Sequence, residues 1–175
     1  ASFSISSSGV IIFVSAPDYE TKTSYSVTVT VSDGTNTTSQ TLTITVTNIN
    51  ETSPVITSAA NFSAAENQTS IGTVTATDGD GDSVTFTISG SELSITSAGV
   101  LTFASAPDYE TKSSYSATVT VSDGTNTTSQ AVTITVTNVN DNDPVFTSSA
   151  TFSAAENQTA IGTVTATDAD GNSVT

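Results

Sequence analysis

The sequence predicts an all-β fold, a tandem of immunoglobulin-like Greek-key β-sandwiches, and three observations carry that expectation. Apolar and hydroxyl residues alternate with period two: "SYSATVTVSD" sets Tyr115, Ala117, Val119 and Val121 against Ser and Thr, and "SQAVTITVTN" does the same with Val132, Ile134 and Val136. Gly79, Gly81, Gly90, Gly99 and Gly124 punctuate the alternating runs as turn residues do. The pattern then recurs, with Pro54 and Pro144, Glu66 and Glu156, Asp78 and Asp168, Asp18 and Asp108, and Asp33 and Asp123 each 90 positions apart, the size of one small domain.

A boundary at the proline after "TNIN" or "TNVN" divides the chain into the C-terminal part of one repeat (1–53), a complete repeat (54–143) and the N-terminal part of the next (144–175). In the complete repeat, strands are expected near 55–58, 61–65, 71–77 ("IGTVTAT"), 83–89 ("SVTFTIS"), 93–96, 100–103, 114–122 and 129–138. Thr suits the outward positions because its branched Cβ fits a pleated strand while its hydroxyl stays in water. Seven or eight short strands in one repeat read as an immunoglobulin-like sandwich, without the Cys and Trp core of a true immunoglobulin domain. Tyr25, Tyr115, Phe86 and Phe103 fall at inward phases and are expected in the core. Residues 1–53 match 91–143 and residues 144–175 match 54–85, so the two partial repeats together lack only the counterpart of Phe86 to Gly90. The chain therefore reads either as an excerpt of a longer array or as a unit whose copies complete one another head to tail by strand donation.

Charge narrows the function. Seventeen acidic residues against Lys22 and Lys112 give a formal charge of -15, while 35% hydrophobic content allows only modest cores. That much one-sided charge repels itself unless cations sit among the carboxylates. Nucleic acid is excluded as a partner because phosphate neutralisation needs many Lys and Arg, and anionic membrane surfaces are disfavoured for the same reason. The chain has no Cys and no His, so Ser-His-Asp and Cys-His catalysis and ordinary zinc sites are not expected. No apolar run approaches a membrane span, and the opening "ASFSISSSGV" has no basic and apolar leader.

The acids gather at strand ends and joints. In the complete repeat they are Glu66, Asp78, Asp80, Asp82, Glu92, Asp108, Glu110, Asp123, Asp141 and Asp143. Oxygen-rich clusters without nitrogen or sulfur suit a hard cation such as Ca2+, which takes six to eight oxygens at about 2.3–2.6 Å; Mg2+ is disfavoured by its reluctance to dehydrate. "DGDGDS" from Asp78 begins like an EF-hand loop, but Ser83 and Ser89 stand where Gly and Glu are required, and strands flank it. A simple Asp-Gly hairpin turn is the alternative for this stretch. Glu92 and Asp143 are read as solvated loop acids.

"AEN", "VTATDADG", "PDYE", "VSDG" and "NVNDNDP", in this order and spacing, resemble the motifs of the cadherin repeat family, and the resemblance spans the complete unit and both partial ones. It implies a Ca2+ cluster at each joint between repeats, fed by both neighbours. Near Pro54 the resemblance implies Asp18, Glu20, the side chains of Asn48 and Glu51, the carbonyls of Asn50 and Thr52, and Asp78, Asp80 and Asp123. Near Pro144 it implies Glu66, Asp108, Glu110, Asn138, Asn140, Asp141 and Asn142, with Asp168 and Asp170 from the third unit. Glu156 and Asp33 match the motif but would serve joints outside this chain. "PDYE" departs from the family's usual Arg. The first linker, "NINETSP", has Glu51 and Thr52 for the usual Asp-Asn pair, so fewer ions or weaker binding are expected there. Six N-x-S/T sequons, at Asn36, Asn50, Asn61, Asn67, Asn126 and Asn157, do not establish glycosylation in so hydroxyl-rich a chain.

Ions that cross-link loops of two sandwiches stiffen their joint, and each repeat would advance the resulting rod by roughly 40 Å. The expected function is thus a calcium-rigidified extracellular spacer or adhesion segment of a repetitive surface adhesin or filament, of the bacterial cadherin-like kind. It would contact cell-surface or polysaccharide partners through other domains, and would not be an enzyme. The alternative is a carbohydrate-binding module of a secreted protein, which requires an exposed aromatic platform.

Overall fold

The computed structural model describes residues 2–175. The first partial repeat contributes β1 (Phe3–Ile5), β2 (Ile11–Phe13), β3 (Ser24–Ser32) and β4 (Thr37–Thr45), paired as two separate antiparallel hairpins, β1 with β2 and β3 with β4. The complete repeat contributes β5 (Val55–Ile56), β6 (Asn61–Ala65), β7 (Ser70–Thr73), β8 (Ala76–Thr77), β9 (Thr85–Ile88), β10 (Leu93–Ile95), β11 (Val100–Phe103), β12 (Ser114–Ser122) and β13 (Thr127–Thr137). The third stretch contributes only the antiparallel pair β14 (Val145–Phe146) and β15 (Ala166–Thr167). Among the described residues there is no helix, and hence none long and apolar enough to cross a membrane.

Two layers form the complete repeat. One sheet has the order β6-β13-β12-β9, and the other has the order β10-β11-β7, with β8 two residues beyond β7 and paired to β5. The first strand of the sandwich thereby divides itself between layers: β5 runs antiparallel to β8, and β6 then runs parallel to β13. The expected run 71–77 is likewise split. At Val74 its amide turns to the Gly99 carbonyl (2.8 Å), and at Thr75 its carbonyl takes both Thr57 N (2.8 Å) and Ser58 N (3.3 Å), so the chain changes partner from β11 to β5. Gly99 makes the crossing possible: its φ is +85°, and a Cβ there would lie 2.2 Å from the Val74 carbonyl oxygen.

Alternation buries one face of the long strands β12 and β13. Val119 and Val121 of β12, Val132, Ile134 and Val136 of β13 and Phe86 of β9, all from one sheet, form one core cluster with Val74, Leu101 and Phe103. Phe103 packs edge-on against Tyr115 at 5.0 Å between ring centroids, and Tyr25 is buried against Phe3 and Phe13, so the inward aromatics are core residues. The outward hydroxyls are not simply solvated. Thr120 and Ser129, opposite one another in the β12–β13 register, share a 2.8 Å hydrogen bond, and Thr30 and Ser39 repeat it at 2.7 Å in the β3–β4 hairpin.

Positions 90 apart experience opposite burial outside the complete repeat. Val121 is fully buried but Val31 is 59% exposed, and Val74 is 1% exposed whereas Val164 is 61% exposed. The same alternating face is therefore a core in one unit and open in its neighbours. Val121→Ala should destabilise the complete repeat by about 2 kcal/mol, two methylene equivalents plus a small cavity, whereas Val31→Ala should be nearly silent. Denaturant unfolding of each variant against the parent checks this.

Candidate metal centre

The joint near Pro144 is assembled by strand ends. β6 runs parallel to β13 and both stop together, which delivers Glu66, the residue after β6, beside the linker that leaves β13. The Glu66 side chain is 3% exposed; Oε1 accepts the Val139 amide and Oε2 the Tyr109 amide, both at 2.7 Å. One carboxylate thus fastens the linker to the "PDYE" turn. That turn is closed by Asp108, which accepts the Thr111 amide (3.1 Å) and hydroxyl (2.9 Å), and Asp18 does the same with Thr21. These bonds hold the Asp108 and Asp18 carboxyls below the usual range.

The following repeat grips the linker from the other side. Asp168, just after β15, accepts the Asp170 amide (3.0 Å), and Asp170 Oδ2 accepts two successive linker amides, Asp141 N (3.1 Å) and Asn142 N (2.8 Å). The joint near Pro54 repeats the arrangement: Asp78 accepts Asp80 N (2.9 Å), and Asp80 Oδ2 accepts Glu51 N (3.0 Å) and Thr52 N (2.7 Å). At the first joint acidic oxygens from both sides converge as a result, Glu20 from the preceding unit and Asp80 from the following one. Single oxygens of Glu66, Glu110 and Asp141 lie within 4.8 Å of one another, as do those of Glu20, Glu51 and Asp80, and those of Asp78, Asp80 and Asp82.

Other expected residues take more specific positions. Asn48 and Asn138 each donate a side-chain amide hydrogen to the carbonyl of Asp80 (3.0 Å) and Asp170 (2.8 Å), tying the linker start to the acid loop. Asp123 caps its own turn through Thr125 N (2.7 Å) and Asn126 N (2.6 Å). Its contact with the linker runs through Asn126, which donates to Asn50 Oδ1 (2.9 Å) and the Thr52 carbonyl (3.2 Å). Asn140 lines an open cleft with Asn142, Asp143, Pro144 and Asp168. Two residues were not anticipated, Asn126 and Asn67, whose left-handed φ of 63° aims its amide at Asp141, and Asp82, expected only as a strand-end acid of "DGDGDS", joins Asp78 and Asp80. Of the two, only Asn67 had a visible signal, the third letter of "AEN". The reading of Glu92 as simply solvated is corrected, since it pairs with Lys112, whose ammonium also sits over the Tyr115 ring.

Crowding sets the electrostatics. Burial, then the charges of Asp80, Glu20 and Asp18, push the Glu51 carboxyl above its ordinary range. Burial likewise raises Glu110, with the charges of Glu66, Asp170 and Asp108 adding to it. Hydrogen bonds from Asn142 hold Asp170 below the usual range, and those from Asn126 and Thr125 lower Asp123 against the opposing effect of its burial. No basic side chain relieves these clusters. Lys22 lies over Tyr25, and Lys112–Glu92 is the single ion pair among the described residues. Asp78 Oδ2 is buried with no hydrogen-bond partner. Oxygens of one ion held at about 2.4 Å can be no more than about 5 Å apart, so the three trios and the orphaned Asp78 oxygen fit a hard divalent cation.

A family model described as Bacterial Ig domain matches residues 50–137. Among solved structures, the chain is similar to the protocadherin gammaB7 EC3–6 cis-dimer, at 26% identity and a TM-score of 0.77, covering 95% of this chain and 48% of that one. Mouse protocadherin-24 EC1–3 (23% identity, TM-score 0.73, 96% and 63% covered) and mouse cadherin-23 EC22–24 (23%, 0.68, 95% and 61%) share the fold. The chain thus spans from about half to under two thirds of the length of these relatives. No curated protein matches it.

Glu66→Gln should cost the complete repeat about 1–3 kcal/mol even in chelator, because the new amide hydrogens face the Tyr109 or Val139 N–H. Glu156→Gln, at the exposed equivalent position, should leave the denaturation midpoint unchanged.

Proposed function

The chain belongs to the bacterial Ig domain family and folds as cadherin-like repeats, and from that premise we propose that it is a calcium-rigidified spacer segment of an extracellular, repetitive adhesin or filament. The observation that carries this reading is the convergence of carboxylates from successive units on one linker with no basic side chain among them. At the first joint Glu20, Glu51, Asp78 and Asp80 would hold Ca2+, with Asp18 and Asp82 beside them; at the second, Glu66, Glu110, Asp141, Asp168 and Asp170. The bound ion would supply positive charge between like-charged loops and so tie one repeat to the next.

The chain's own residues do the rest. Asp80 and Asp170 hold the linker amides, Glu66 fastens the linker to the preceding repeat, and Asn126 locks the loop after β12 against it. A stiff joint repeated along an array gives reach, and the near-identical units suit a spacer rather than a sequence-specific site. Adhesive contact, by cis association as in the protocadherin gammaB7 cis-dimer or through other domains, would be made elsewhere on the full protein. No catalytic role is assigned. Cadherin-like and bacterial Ig-like repeats point to the outside of the cell, where calcium is abundant. The carbohydrate-binding alternative has no observation in its favour: Tyr25, Tyr115, Phe86 and Phe103 pack inward, and the exposed Phe146 and Phe152 stand at the positions of Ile56 and Phe62, which pack against the core of the complete repeat.

Millimolar Ca2+ should raise the melting temperature over that in chelator by several degrees, because a ligand at 100 times its Kd contributes about 2.7 kcal/mol. Small-angle scattering should show a longer, narrower particle in Ca2+ than in Mg2+ or chelator. Identical melts and profiles in all three would refute the spacer reading.

A further inference from the structure

Two glycines of the first acid loop are there for different reasons. Gly81 has φ +81° and nothing within 4 Å of where a Cβ would sit, so its conformation requires glycine. Gly79 has no left-handed φ, yet a Cβ there would lie 2.8 Å from Thr52 Cγ2, 3.2 Å from Thr52 Cβ and 3.3 Å from Thr52 Oγ1. Space, not backbone conformation, excludes a side chain at 79. Thr52 cannot simply rotate out of the way, because its hydroxyl donates to Asp80 Oδ1 at 3.2 Å and its amide to Asp80 Oδ2.

The second joint solves the same contact with different residues. Gly171 keeps its left-handed φ of 78°, as Gly81 does, but Ala169 replaces Gly79, and Asn142 replaces Thr52. Asn142 has no branch at Cβ. Its amide extends to Asp170 Oδ1 (2.8 Å) and toward Glu110 Oε2 (3.4 Å). By the 90-residue correspondence, Ala169 carries its methyl at the position where Gly79 leaves room for Thr52.

We propose that linker position 52 or 142 and loop position 79 or 169 form a matched pair that decides which repeat can follow which linker. Thr goes with Gly, Asn goes with Ala, and a Thr linker against an Ala loop is the excluded combination. Asn against Gly leaves a gap but no clash, so the restriction acts in one direction. The partner recognised at this surface is the next repeat of the same kind. The inference rests on the spacer reading only in concerning the joint between units, since the steric contact exists without an ion.

The test is a double-mutant cycle in the full chain, read in chelator by hydrogen exchange of the Glu51 and Thr52 amides that Asp80 holds. Gly79→Ala alone should speed their exchange by about tenfold or more, because even modest overpacking forces the linker off the carboxylate. In the Thr52→Asn background, Gly79→Ala should leave Glu51 exchange unchanged. At the second joint, Asn142→Thr should speed exchange of the Asp141 amide, and adding Ala169→Gly should restore it. Equal effects of Gly79→Ala in both backgrounds, or no rescue by Ala169→Gly, would overturn the pairing. A calcium-insensitive chain that still shows the coupling would refute the spacer reading and leave the pairing standing.

Discussion

A single carboxylate oxygen that accepts two successive linker amides, Asp80 Oδ2 at one joint and Asp170 Oδ2 at the next, is the contact on which the geometry of the array depends. Charge-assisted bonds of this kind are shorter and stronger than neutral ones, and two on one oxygen fix the direction of a strand as it leaves one sandwich and enters another. Once the linker is held there, Glu51 or Asp141 has no choice but to sit among the acids of both units. The crowding is therefore not an accident of acidic composition. It follows from using a carboxylate as the clamp in a segment whose own side chains are also acidic.

The partition of residue types follows the same logic. Strand faces carry Thr and Ser, whose hydroxyls pair across β12 and β13, and the strand ends carry nearly all the charge. Neutral faces let a small sandwich close over a core as modest as Val74, Leu101, Val119, Val121, Val132 and Ile134 without repulsion between layers. Concentrating the charge at the joints leaves it where a cation can offset it. The two lysines do not compete for that role, since each is drawn to a tyrosine ring away from the acid trios.

Much of this was readable in the chain itself. Period-two alternation located β6 and β9 to β13 because each strand buries one face, and the 90-residue recurrence showed which acids repeat together. The split of the run 71–77 was not readable, because it depends on the Gly99 carbonyl and the Thr57 amide, partners that alternation cannot reveal. Acids were legible as a class, whereas Asn126 was not: it meets Asn50 across 76 residues, and nothing in "SDGTN" separates it from an ordinary turn asparagine. The amides of Asn48 and Asn138 were expected to offer oxygen, but their nitrogens find loop carbonyls once the linker is clamped.

The two joints also show what is held constant as the sequence drifts. Judged by its linker alone, "NINETSP" is poorer in charge than "NVNDNDP", since Thr52 and Ser53 stand opposite Asn142 and Asp143. The acid loops differ in the opposite sense, with Asp82 at the first joint where the second has Asn172. Linker and loop together thus present Glu51, Asp78, Asp80 and Asp82 at one joint and Asp141, Asp143, Asp168 and Asp170 at the other, the same number of carboxylates differently placed. The "PDYE" acids are common to both. A charge that leaves the linker and reappears on the facing loop keeps the number of carboxylates across linker and loop the same, while the Thr52 and Gly79 contact changes the shape of the surface that carries them. The carboxylate number of linker and loop is therefore shared by the two joints, and the steric fit between position 52 or 142 and position 79 or 169 differs.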